Sequence, residues 1–302
     1  MRVSYIFSSR RGDTMRTFLK KTALIFCTSL LSITAAYGAM LMLSRNITGF
    51  APEVFYILEK AEHNSGLPAV ILGDSVCNQL WPQQEDSPQF SHLGCNQAIT
   101  PAGTYLLLRK YLEHNPQTKD VFYIICPQSL GNDLNVNHTY QYFVIPFINN
   151  ENIKLLDNET VLKLYSKFGE IFVLNKYIKT FLLNNNLFMK QYVNHVRVQA
   201  EQKYTHRLSP TAIIYLRKIR SLCSGNNIKL HILPLPMPDI TENHNWKAFS
   251  EDVVNYGLDD ILGNFVNNIR YYPDDWFSDG VHFKQDILKQ HINEIKNVVM
   301  NY

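Results

Sequence analysis

Two short stretches of this 302-residue chain hold residue types that do chemistry when they meet. In the first, an apolar run at 69–72 stops abruptly at Gly73-Asp74-Ser75. That pattern predicts a buried strand feeding a tight turn, with the Ser75 hydroxyl at its tip. The second is Asp279-Gly280-Val281-His282, far downstream. A serine hydroxyl is a weak nucleophile alone. It needs a base to take its proton and donors to hold the oxyanion it creates. An imidazole with a nearby carboxylate can supply the base and the group that orients it. Either stretch alone is a weak signal, because ordinary turns use the same residues. The signal lies in order and context: one stretch follows the first strand, and the other precedes the last helix.

Those ends must be positioned by a scaffold, and the chain reads as one. Residues 90–93 suit a short second strand ending at Gly94, and the continuous apolar run 121–126 suits a strand buried on both faces. A fourth strand is expected at 229–233, broken by the prolines of 234–238. Helices are expected between them. A short one covers 53–61, and one opens at Thr100-Pro101 and ends at Asn115-Pro116. Another opens at Ser209-Pro210 and runs over 211–223, and the stretch 245–268 is expected to be helical. The last, at 284–300, carries Ile287, Leu288, Ile292, Ile295 and Val299 on one face. Strands alternating with helices predict an α/β fold built on an open parallel sheet, with the site beyond the carboxyl ends of its strands. The segment 137–208, rich in Asn, Tyr and Phe, reads as a helical insertion, with helical spacing at 161–164 and 171–183.

Composition narrows the function classes. Hydrophobic residues make up 46% and charged residues 18%, which suits a folded globular body. Net charge is +3 with no long basic block beyond residue 21, so no nucleic-acid partner is expected. Residues 22–43 carry no charge and follow six basic residues, Arg2, Arg10, Arg11, Arg16, Lys20 and Lys21. As a helix this run is long enough to span a membrane, and the positive-inside bias leaves residues 1–21 in the cytoplasm and the rest outside. A cleaved signal peptide starting at Met15, with Ala36-Tyr37-Gly38 as the processing site, is the alternative; both export the domain. Residues 44–68 read as a linker and 69–302 as the functional domain. None of the five cysteines forms a CxxC pair; Cys77, Cys95, Cys126 and Cys223 fit either disulfides in an exported domain or buried small hydrophobes. No HExxH, P-loop or Gly-x-Gly-x-x-Gly pattern occurs, so neither a metal nor a nucleotide cofactor is expected. His92, His231, His244 and His291 lack any partner pattern.

Three places resemble the SGNH hydrolase superfamily, the GDSL-like esterases and acyltransferases. Gly73-Asp74-Ser75 after the first strand is similar to its first block, His92-Leu93-Gly94 to its second, and Asp279-Gly280-Val281-His282 to its last. The third block departs: the chain reads Pro127-Gln128-Ser129-Leu130-Gly131-Asn132-Asp133, with the glycine one place late. The resemblance covers about 69–300, with the insertion outside it. It implies a three-layer α/β/α sandwich with a flavodoxin-like parallel sheet. It also implies Ser75 as nucleophile, His282 as base and Asp279 as its orienting acid. The implied oxyanion hole is made by the amides of Ser75 and Gly94 with the side chain of Asn132, or of Gln128 or Asn96 in its place.

The chemistry so implied is acyl-ester hydrolysis or O-acyl transfer. Export and anchoring point to an acylated cell-envelope or secreted polysaccharide as substrate, as does the resemblance to exported bacterial members. Two other functions remain open in the sequence: a non-catalytic domain that binds or guides a polysaccharide, and a lipase or thioesterase whose acyl channel the insertion would form.

Overall fold

Uncharged runs of aliphatic residues build the centre of the molecule. In the computed structural model, residues 4–43, 51–134, 138–178 and 206–301 are described. Strand β1, Ala69–Gly73, is buried at all five positions, so both faces are covered. That is why its sequence shows no alternation. Strands β2 (Phe90–Gly94), β3 (Asp120–Ile125) and β4 (Lys229–Pro234) join it in a parallel sheet of order β2-β1-β3-β4. The register sets Gly73 opposite both Gly94 and Ile124. The expected break after β4 is real but brief: Met237–Pro238 forms a short strand, β5, that pairs in parallel with Tyr271–Tyr272, β6. Pro238 fits there because only one edge of β5 is paired, leaving its missing N–H without cost.

The helices follow their capping signals. Two of them, Pro52–Ala61 (α2) and Ser75–Leu80 (α3), flank β1. Helix α2 buries Val54, Ile57 and Ala61, so the segment expected as a linker carries part of the core. Helix α4, Thr100–His114, starts at Thr100, whose Oγ1 accepts from the Ala102 amide at 3.3 Å while its backbone sits at φ 56°. A one-turn 3₁₀ helix, Gln97–Ile99, leads into it, capped by the Asn96 side chain. Helix α5, Asn158–Ile178, is kinked at Phe168 and represents the insertion within the described residues, with turns at 140–147 and 152–155 before it. The helical spacing noted at 171–183 lies on α5 up to Ile178 and outside the described residues beyond. Helix α6, Pro210–Gly225, is capped by Ser209 Oγ, which accepts from the Ala212 amide at 3.0 Å. The stretch 245–268 is split into Lys247–Asn255 (α7), Asp259–Leu262 (α8) and a final turn at 266–268. Gly257, at φ 60°, supplies the left-handed backbone that ends α7.

Helix α9, Gln285–Met300, closes the chain. It buries Leu288, Ile295 and Val299 in one core with Val76 and Cys77 of α3, Ile71 of β1 and Ile124 of β3. Ile287 and Ile292, expected on the same face, are half-buried at its rim. This core ties the start of the first turn to the end of the chain. The four cysteines of the body are all buried and free.

Contacts divide the chain into two compact units: Met1–Ile47 with Val173–Lys190, and Thr48–Phe172 with Gln191–Tyr302. In the first, Ser4–Leu43 is one helix, α1. Its stretch Thr17–Ala36 is long and apolar enough to cross a membrane or to act as a signal sequence.

Candidate active site

The site begins with the turn after β1. Asp74 leaves the strand in extended backbone and caps α3, its Oδ1 accepting from the Val76 and Cys77 amides at 3.1 and 3.3 Å. Its Oδ2 accepts from the Cys126 amide and the Ser129 hydroxyl, both at 2.8 Å. The buried carboxylate therefore clamps the Ser75 turn to the end of β3. Burial pushes the Asp74 carboxyl above its ordinary value, against the pull of the four hydrogen bonds it accepts. Ser75 follows at the first helical position. Its N–H is left unpaired among the described residues and carries the positive end of a short helix.

The second half is a loop held by its own aspartate. A bridge between Phe277 and Phe283 and the Ser278 amide bond to the His282 carbonyl, 2.8 Å, close it. Gly280 at φ 79° allows the turn. Asp279 Oδ1 accepts from the Val281 and His282 amides, at 3.2 and 2.8 Å. Its Oδ2 lies 2.8 Å from His282 Nδ1. His282 Nε2 lies 2.8 Å from Ser75 Oγ. With Nδ1–H donating to Asp279, Nε2 is the lone-pair nitrogen and accepts from the serine hydroxyl. Burial alone would raise the Asp279 carboxyl. The donors from the His282 backbone and ring, the imidazole charge and the Val281 amide outweigh it and hold the group below the usual range. Gln79 on α3 fixes the base of this loop: its Oε1 accepts from the Phe283 amide and its Nε2 donates to the Phe283 carbonyl.

The arrangement is selective. His231, His244 and His291 also pair with carboxylates, Asp120, Asp239 and Glu294, partners the sequence did not suggest. Of the four His–carboxylate pairs among the described residues, that of His282 alone sets its other nitrogen on a serine hydroxyl. No group of three or more His, Cys, Asp or Glu side chains that could hold a metal occurs among the described residues.

The expected oxyanion donors are distributed differently. Asn132 is buried, and its Nδ2 donates to Gln97 Oε1 at 3.1 Å. Gln128 Nε2 donates to Asn243 Oδ1 at 3.0 Å. At Gly94 the pleat decides. The Cys95 amide donates to the Gly73 carbonyl at 2.9 Å, so the preceding amide faces the other edge of β2, the side on which the His92 amide meets Asp86. Gly94 has a packing role instead: a Cβ there would come within 3.0 Å of the Asn78 amide, so glycine lets α3 lie on β2. Sequence reasoning assigned no role to Asp74, Ser129 or Gln97. They border, with Gly73, Asn96 and Thr100, a small cleft at the carboxyl ends of the strands. An aspartate one residue ahead of a helix start was the available signal for Asp74.

No known protein-family model matches this sequence. No curated protein matches it either. Among solved structures, the chain is similar to one described as a "putative platelet activating factor" from Streptococcus pneumonia. Identity there is 11%, with 88% of this chain and 98% of that chain covered and a TM-score of 0.29. A likeness that weak carries no functional weight, and the functional reading rests on the geometry of the site.

Proposed function

We propose that the chain is an SGNH-type serine acyl-ester hydrolase or O-acyltransferase. In this reading it is anchored by α1 with its body on the extracytoplasmic side, and it acts on an acylated envelope or secreted polysaccharide. The observation behind it is the unbroken relay from Asp279 through His282 to Ser75, each link 2.8 Å. Ser75 Oγ attacks the ester carbonyl as its proton passes to His282 Nε2. The tetrahedral intermediate collapses, the bond to the alcohol oxygen breaks, and His282 returns the proton to that oxygen. Asp279 holds the tautomer and stabilises the imidazolium. Water or a sugar hydroxyl then gives a proton to His282 and attacks the acyl-serine, and as the bond from the acyl carbon to Ser75 Oγ breaks His282 returns that proton to Ser75 Oγ. The first acceptor makes an esterase and the second a transferase.

A fluorophosphonate probe tests this. The native chain labels at Ser75, and Ser75→Ala abolishes the label. A folded native chain that takes no label would overturn the catalytic reading. It would favour the second one, a polysaccharide-binding module, for which the turned Gly94 amide and the bonds from Asn132 to Gln97 and from Gln128 to Asn243 speak. Glycan mass spectrometry extends the test to substrate: Ser75→Ala changes the acyl content of the envelope polymer, and an unchanged content removes the polysaccharide. The anchor is tested by the mass of the mature chain, since a cleaved signal sequence would remove the residues before its processing site.

A further inference from the structure

The hydroxyl, the base and the orienting acid are in place, but the side-chain amide expected from the third block already gives one of its two N–H groups to Gln97. Four side-chain amides reach this end of the sheet from the loops: Asn132 donates to Gln97, Gln128 donates to Asn243, and Gln97 Oε1 accepts from both Asn132 and Ser129. The fourth, Asn96, bonds to none of these side chains. Its Oδ1 accepts from the Ala98 amide at 2.9 Å, which fixes the rotamer and sends the NH₂ group the opposite way. Its Nδ2 has no partner among the described residues, and the residue is half-buried.

Its position relative to Ser75 follows from the ladder. Gly73 and Gly94 are paired, and the bond from the Cys95 amide to the Gly73 carbonyl continues the ladder one step. Both backbones stay extended there, Asp74 at φ −90° and ψ −166°, Asn96 at φ −90° and ψ 141°. Beyond the ladder the two chains leave the same end of the paired strands, Ser75 opening α3 and Asn96 capping the turn at 97–99. Helix α3 lies over that end of both strands, since a Cβ on Gly73 would overlap Cys77 and one on Gly94 would meet Asn78. Asn96 lines the cleft that reaches Asp74, the residue before the nucleophile.

We infer that Asn96, from the loop after β2, is the side-chain oxyanion donor of this site, paired with the Ser75 amide. The inference rests on the catalytic reading above. Its Nδ2–H donates to the carbonyl oxygen of the ester as that oxygen takes up the electron pair displaced by Ser75 Oγ. The hydrogen bond from Ala98 prevents the amide from turning its own oxygen toward that charge. Asn132, through Gln97, acts on the loop from behind and touches no reacting atom.

The test is the rate of fluorophosphonate labelling of the full chain, because the phosphoryl oxygen uses the same donors. Asn96→Ser keeps a capping oxygen for the Ala98 amide and so keeps the fold. It should slow the covalent step roughly 100- to 1,000-fold, the usual loss for one oxyanion donor. The half-saturating probe concentration and the melting temperature should not move. Asn132→Ala should slow that step less than Asn96→Ser does. Labelling of Asn96→Ser at the native rate, or a larger loss in Asn132→Ala, overturns the inference and leaves the serine enzyme standing. A folded native chain that never labels overturns both.

Discussion

Single side chains decide the chemistry. Asp279 both shapes its loop, through two backbone amides, and holds the His282 ring. Asp279→Asn exposes Nδ1 of His282 to the wrong tautomer and should lower kcat on an ester such as p-nitrophenyl acetate by about 10³-fold or more. Its carboxyl lies below the ordinary range in the folded chain. Such a group adds stability above its unfolded-state value and loses it as pH falls through the folded value. The urea midpoint of the native chain should therefore exceed that of Asp279→Asn at neutral pH, with the gap closing below the usual aspartate range. A gap constant to low pH would show that these donors do not hold the carboxylate. Asp74 is the structural counterpart. Asp74→Ala strands the Cys126 amide and two helix-end amides in a buried site and leaves the Ser129 hydroxyl only Gln97 Oε1, a loss of about 3 kcal/mol readable from urea unfolding.

At the level of elements, two glycines set how closely α3 approaches the sheet. A Cβ on Gly73 would overlap the Ile124 carbonyl and the Cys77 side chain, and backbone cannot give way cheaply. Gly73→Ala should cost about 3 kcal/mol or abolish folding, whereas Gly225→Ala, with open space around it, should be within about 0.5 kcal/mol of native. Gly94→Ala presses on the Asn78 amide and so tilts the helix that begins at Ser75. Its effect on labelling rate should exceed its effect on melting temperature. The strand and helix starts were readable in advance because capping residues, prolines and uninterrupted apolar runs are local signals. The parallel pairing of β5 with β6 was not, since a two-residue strand carries no period to recognise.

Across the whole molecule, burial keeps the body's thiols inert. Desolvation raises Cys77, Cys95 and Cys126 far above a free thiol and Cys223 to about 12. Native protein at pH 8 should therefore leave these four unmodified by iodoacetamide, and urea should expose all four together. Labelling of any of them in the folded state would contradict the shared core. That core also explains how the site survives the long separation of its halves: α3 and α9 bury their apolar faces together, so Ser75 and His282 are brought into reach by packing rather than by their own single hydrogen bond.

The sequence by itself determined the alternation of strands and helices, the apolar helix near the N-terminus and the three residues that form the relay, because each is written in local residue type and order. The arrangement of the candidate oxyanion donors was decided only by the tertiary structure. Which way the Gly94 amide faces depends on the pleat phase set by its neighbour's bond to β1. Which way the Asn96, Gln128 and Asn132 amides are turned depends on partners such as Ala98, Asn243 and Gln97. A motif records which groups a segment carries, while the competition for those groups is settled among segments that meet only in the folded chain.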